Sequence, residues 1–201
     1  MRKLLLLFSY VFHPIFVSVF GALLFFYMSD TVLAGLQQLM IGIQIAIITV
    51  FIPITFFFIL KTMGKIDSVM ASQISERKIP LISQAFLLYI LFSKSITVEL
   101  LPQLHFFLVG GMISSGIAFI LLFLKIKASL HVLGTSALLA FAIGLSILNQ
   151  TNNLVIISVL FIINGFVAAS RIEMKAHTIK ELIIGFVIGL LPQILVWKFW
   201  L

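Results

Sequence analysis

The chain has no cysteine, only six acidic residues and only two tryptophans among its 201 positions. Without cysteine there is neither a disulfide nor a thiolate metal site, and cysteine usage says nothing about the redox compartment. Charged residues of both signs make up 9% of the chain, too few to coat an ordinary soluble domain. What is there instead is apolar: 62% hydrophobic residues, 21 of them phenylalanine, and a mean hydropathy of +1.28. This composition is that of an integral membrane protein. A net charge of +7 raises the question of nucleic acid, but the cations stand at the ends of apolar runs and build no solvated basic face. They read as membrane orienters and as candidate phosphate ligands, with no nucleic acid partner.

Met1-Arg2-Lys3 followed by leucines resembles a signal peptide, yet the apolar run continues to Met28 and no small-residue cleavage site follows. It is expected to be the first membrane span. About 20 mostly apolar residues are needed to cross a bilayer, and the runs between polar breaks supply seven candidates: 4–28, 36–60, 80–100, 105–124, 129–148, 154–169 and 178–201. Pro53 predicts a kink in the second, Pro80 suits the first turn of the third, and Pro192 bends the last. Gly110-Gly111 and Ser114-Ser115-Gly116 permit close packing of the fourth. Trp197, Phe199 and Trp200 read as an aromatic belt at the membrane interface. No repeat or linker divides the chain, so one all-α polytopic helical bundle of six to seven helices is expected.

With seven crossings, Arg2, Lys3, Lys61, Lys65, Arg77, Lys78, Lys125, Lys127, Arg171, Lys175 and Lys180 fall on one side, and only Lys94 and Lys198 on the other. The positive-inside rule places the larger group, and the N-terminus, in the cytoplasm. Three polar connections meet on that side: 61–79, 125–128 and the island from Ser170 to Glu181. An ionisable cluster beside lipid costs several kcal/mol unless it is paired or used, which makes this island the candidate functional site. Arg77 and Arg171 offer planar, permanently charged forks for phosphate oxygens. Ser129 stands at a helix start, where free N–H groups favour anions. Imidazole as a group titrates near neutral pH, so His131 and His177 can divide the roles of nucleophile and general acid, with Glu181 orienting one of them.

At these residues the chain resembles the type 2 phosphatidic acid phosphatase superfamily of membrane lipid phosphatases. That family's third motif is Ser-Arg, five residues, His, three residues, Asp, and Ser170-Arg171, His177 and Glu181 repeat its spacing. Its Pro-Ser-Gly-His motif is similar to Ala128-Ser129-Leu130-His131, and its Lys, six residues, Arg-Pro motif is faintly similar to the stretch ending Arg77-Lys78-Ile79-Pro80. The resemblance covers about residues 60–190; helices 1 and 2 add nothing diagnostic. It implies that His177 attacks phosphorus, Glu181 orients it and His131 protonates the leaving oxygen, while Arg77, Arg171, Ser129, Ser170 and the Leu130 amide hold the phosphate. Met70 occupies the position of the family's lysine, so Lys65 or Lys78 would substitute. The implied substrate is a lipid phosphomonoester or diphosphate, such as phosphatidate, phosphatidylglycerol phosphate or a polyprenyl diphosphate, in a bacterial inner membrane, with no metal or other cofactor.

Plainer readings stand beside these. Thr178-Ile179-Lys180-Glu181 is also a capping box, and if Thr178 caps the helix, His177 lies outside it and need not share a face with Glu181. Lys125, Lys127, Arg171, Lys175 and Lys180 taken singly are snorkelling cations. His13 and His105 match no motif and are expected to satisfy local hydrogen bonds. Gly185 and Gly189 read as a packing pair, with self-association through the last helix as the lesser reading. Two alternative functions remain: a decayed relative that binds anionic headgroups or serves as a scaffold, and a small transporter.

Overall fold

A computed structural model describes residues 2–29, 33–64 and 74–201, with side chains from residue 5 onward in the first segment and from residue 78 onward in the third. Among the described residues there are helices and turns but no strand. Five helices are long and apolar enough to cross a membrane: Gly35–Thr62, Pro102–Phe123, Leu130–Leu148, Leu154–Glu173 and Ile179–Trp197. A bent pair at the N-terminus makes a sixth. The chain is an all-helical integral membrane protein.

The first span is not continuous. It breaks between α1 (Arg2–Val11) and α2 (Val17–Met28), which are joined by a 3-10 turn at Pro14–Phe16 and bent by 45°. Pro14 explains the break, because it lacks an N–H and its ring drives the preceding residue out of the helical region. His13 accordingly is extended, with φ −66° and ψ 141°.

The second span divides into α3 (Gly35–Ala46), a π-helical segment Ile47–Phe51 and α4 (Ile52–Thr62). Pro53 cannot donate to the carbonyl four residues back, and the ladder slips one residue, so that the Ile52 N–H reaches the Ile47 carbonyl.

Helix α5 (Ile74–Lys94) starts earlier than expected and carries Pro80 inside it. Its stretch between Lys78 and Lys94 has 15 residues, about 22 Å at the helical rise and short of the ~30 Å apolar core of a bilayer. It nevertheless runs antiparallel beside α6 (Pro102–Phe123) along almost its whole length. Lys78 lies 4.8 Å over the Phe123 ring, Leu88 meets Gly111, and Phe92 packs 5.3 Å from His105. The two lysines at its ends can reach the interfaces by snorkelling.

Helix α7 (Leu130–Leu148) is the axis of the bundle. It is apolar on every side and buried almost without interruption from His131 to Leu145, as a helix enclosed by others must be. α2, α6, α8 (Leu154–Glu173) and α9 (Ile179–Trp197) pack around it. α9 comes closest, since Gly185 faces the Ser129 backbone and Gly189 faces the Leu133 carbonyl and Ser136 Oγ. Both glycines are therefore filled within the chain, and the pair offers no free groove for a second copy. Trp200 is likewise turned inward onto Phe141, at 5.9 Å, and both tryptophans cover Gly144. They belong to the core and not to an interfacial belt; Phe199 alone of the three residues is exposed.

A Cβ at position 189 would overlap the Leu133 carbonyl and Ser136 Oγ, whereas one at Gly165 meets nothing within 4 Å. Gly189→Ala should lower the thermal unfolding free energy of the detergent-solubilised protein by about 1–3 kcal/mol. Gly165→Ala should leave it unchanged or raised.

Candidate active site

Helix α8 runs one turn further than its hydropathy suggests, to Glu173, so Ser170 and Arg171 are not in a connection but buried on its last turn. The turn is closed without glycine. Lys175 takes φ 52°, the Ala176 N–H donates to the Arg171 carbonyl at 3.0 Å, and the Lys175 N–H donates to the Ile172 carbonyl at 2.8 Å. This is a Schellman motif, which satisfies carbonyls that the helix end would otherwise leave open. Lys127 Nζ adds a hydrogen bond to the Ala176 carbonyl at 3.0 Å, fastening the connection before α7 to the one before α9.

Arg171 is 2% exposed and its Nη1 approaches Met174 Sδ at 3.5 Å. Ser170 shares a 2.7 Å hydrogen bond with Ser9 of α1. His177, at the end of the connection, donates from Nδ1 to Glu181 Oε2 at 2.7 Å. The same carboxylate oxygen accepts the Thr178 N–H at 3.3 Å, while Thr178 Oγ1 accepts the Glu181 N–H at 3.4 Å. The capping box and the His-Glu pair thus coexist. The expected competition is absent because His177 precedes the cap, from where its ring reaches the oxygen already drawn to the helix start.

Ser129 is the N-cap residue of α7, with no side-chain cap bond. Its N–H donates to the Glu181 carbonyl at 3.1 Å. Its Oγ is fully buried and without a hydrogen-bond partner among the described residues. Two residues on, His131 places Nε2 3.1 Å from the Ser9 carbonyl.

These elements enclose a cavity of about 450 Å³. Of the residues named from sequence, Leu130, His131, Arg171 and His177 line it. Glu181 stands behind His177, and Ser129 and Ser170 stand outside the lining. Lys78 does not reach it: the residue is exposed and its ammonium sits over Phe123, a cation held by an aromatic face. Lys65 and the side chain of Arg77 lie outside the described residues.

One residue at this cavity was not expected. His13 makes the local hydrogen bond foreseen, accepting the Ile15 N–H at Nδ1 at 3.3 Å. It also lines the cavity and stands edge-on to His131, with ring centroids 5.0 Å apart and planes at 87°. The signal available was Pro14, which interrupts an apolar run immediately after an ionisable residue. His105, by contrast, bonds locally to the Ile96 carbonyl at 2.7 Å and stays outside.

The rest of the wall is mostly apolar, with Pro53, Phe56, Phe57 and Leu60 from α4, Leu81 and Leu88 from α5, Phe107 and Leu108 from α6, interrupted by Ser18, Ser83, Gln84 and Ser115. Gln193 of α9 lies against Gly110 and donates to the Phe107 carbonyl at 3.0 Å. The cavity therefore joins a cationic, imidazole-bearing end to a hydrocarbon-lined body.

In comparisons with protein-family models, with curated proteins and with solved structures, the chain matches none.

Replacing Thr178 by Ala should cost about 1 kcal/mol of stability through the lost cap and leave the ¹⁵N signals of the His177 imidazole in place. Glu181→Ala should both destabilise and shift those signals away from the Nδ1–H tautomer. An unchanged His177 spectrum in Glu181→Ala would show that the carboxylate does not set the ring.

Proposed function

We propose that the chain is a membrane lipid phosphatase akin to the type 2 phosphatidic acid phosphatases, hydrolysing a lipid phosphomonoester or diphosphate through a phosphohistidine. The observation that carries this reading is the joining, in one cavity, of a carboxylate-held histidine, a second histidine and a buried arginine to a long apolar wall. A soluble phosphate ester would have no use for the wall. An amphiphile would place its phosphate beside Arg171 and its tail along α4, α5 and α6. Ile54 and Phe58 of α4 line the cavity and are both exposed, as they would be where such a tail passes to the bilayer.

The chemistry follows from which nitrogen each partner occupies. Glu181 holds Nδ1–H of His177, so attack on phosphorus falls to Nε2. The P–N bond forms as the P–O bond breaks, and protonated His131 gives its proton to the leaving oxygen. Water then attacks the phosphohistidine, returning its proton to His131, and inorganic phosphate leaves. Arg171 spans the equatorial oxygens as charge builds on them. Counted over seven crossings, the eleven-to-two bias of cations supports a cytoplasmic N-terminus, and the membrane assigned in this reading is a bacterial inner membrane.

A second reading is favoured by one observation. Ser170 is tied to Ser9 and Lys78 to Phe123, so two of the implied phosphate ligands are engaged elsewhere. A chain that had lost turnover would still bind a lipid phosphate or vanadate at Arg171.

Phosphate release from phosphatidate, phosphatidylglycerol phosphate and a polyprenyl diphosphate, measured on purified protein, separates the two. The phosphatase predicts release that vanishes in His177→Ala and a trapped phosphoenzyme whose ³¹P signal is that of an Nε2 linkage. Release from none of these lipids, with phosphate or vanadate bound tightly, would establish the binding reading instead. Arg171→Lys should cut kcat/KM on the order of 10²-fold, because a point charge replaces a two-pronged donor. An unaltered rate there would leave Arg171 as a helix anchor only.

A further inference from the structure

We propose that the break between α1 and α2 is part of the site, with Ser9 and His13 positioning His131 so that its Nδ1 is the nitrogen that carries the transferred proton. The kinetic half of this proposal rests on the phosphatase reading; the geometric half does not.

The last four carbonyls of a helix have no partner within it. In α1 the Phe8 carbonyl is taken by the Phe12 N–H at 3.0 Å. Ser9 would normally be answered by residue 13, but Pro14 holds His13 in an extended conformation and the helix has ended at Val11. The Ser9 carbonyl is answered instead by His131 Nε2, at 3.1 Å and buried. A carbonyl oxygen can only accept, so Nε2 carries a proton and the neutral ring has its lone pair on Nδ1. When His131 is protonated, the proton it can give up without breaking the Ser9 bond is the one on Nδ1.

His13 completes the arrangement from the same break. Its Nδ1 accepts the Ile15 N–H, which fixes its own tautomer and its orientation. Its ring then stands at 87° to that of His131 with centroids 5.0 Å apart, close enough to block rotation of the imidazole about its outer torsion. The result mirrors the other histidine of the cavity. Glu181 holds His177 at Nδ1 and directs Nε2 to the chemistry; Ser9 and His13 hold His131 at Nε2 and direct Nδ1 to it.

Two measurements on the full-length protein test this. First, hydrolysis of dodecyl phosphate, whose leaving alkoxide needs a proton, is compared with that of 4-nitrophenyl phosphate, whose phenolate leaves without one. His13→Ala should lower kcat for the alkyl ester at least tenfold more than for the aryl ester, with KM little changed, as His131→Ala should. A merely structural role would lower both alike. Second, ¹⁵N spectra of histidine-labelled protein should show wild-type His131 protonated at Nε2, and both tautomers populated in His13→Ala. If that variant does not fold, His13→Asn, whose side-chain oxygen can still accept the Ile15 N–H but which lacks the ring, takes its place with the same expectation. Equal losses on the two esters, or a wild-type His131 protonated at Nδ1, would overturn the proposal. Should the wild type hydrolyse neither ester, the tautomers alone decide: an Nε2–H ring released by His13→Ala upholds the positioning, and an unchanged spectrum refutes it.

Discussion

The backbone of α9 rests directly on the backbone of α7, at Gly185 over Ser129 and at Gly189 over Leu133. Between helices surrounded by lipid there is little hydrophobic gain in association, so close van der Waals contact over small residues has to supply the attraction. The same approach lets the Ser129 N–H find the Glu181 carbonyl, joining the first turn of α9 to the start of α7. Everything at the candidate site is measured from this joint. His131 lies two residues beyond it on α7, and His177 lies four residues before Glu181 on α9. A side chain wedged between the two helices would separate the histidines before it disturbed either one.

Glu181 concentrates three tasks in one residue. Its carbonyl accepts from α7, its N–H completes the cap with Thr178, and one carboxylate oxygen accepts from both Thr178 and His177. A carboxylate at a helix N-terminus is favoured by the helix dipole, so the negative charge that orients the histidine is itself stabilised by the fold. The glutamate side chain has the reach for this double contact. The Thr178 backbone N–H at the helix start holds the acid in place for His177.

Hydropathy alone made most of the architecture readable, because a bilayer forces its spans to be long and apolar: α6, α7, α8 and α9 lie close to their expected limits. It failed where polar groups are internally satisfied. Ser170 and Arg171 looked like a surface connection by composition, yet they are buried in α8, one against Ser9 and the other beside Met174. The end of α8 carried no glycine to mark it, since Lys175 adopts the left-handed conformation itself. His131 and His177 stood out from their spacing along the chain, and both line the cavity. His13 did not stand out, because its relation to His131 spans more than a hundred residues and depends on a proline break whose three-dimensional consequence no local pattern encodes.

That break also explains why a membrane protein keeps a proline and a histidine inside its first span. An interrupted helix in hydrocarbon exposes carbonyls and N–H groups at a cost of several kcal/mol each, unless something nearby answers them. Here the Ser9 carbonyl is answered by an imidazole, the Ile15 N–H by another, and the Ser9 hydroxyl by Ser170. Each partner comes from the break itself or from the same end of α7 and α8. A continuous α1–α2 helix would satisfy its own backbone and leave His131 with no acceptor in an apolar surrounding. The irregular backbone and the buried ionisable groups are therefore two halves of one solution: each is tolerable in the membrane because the other is there.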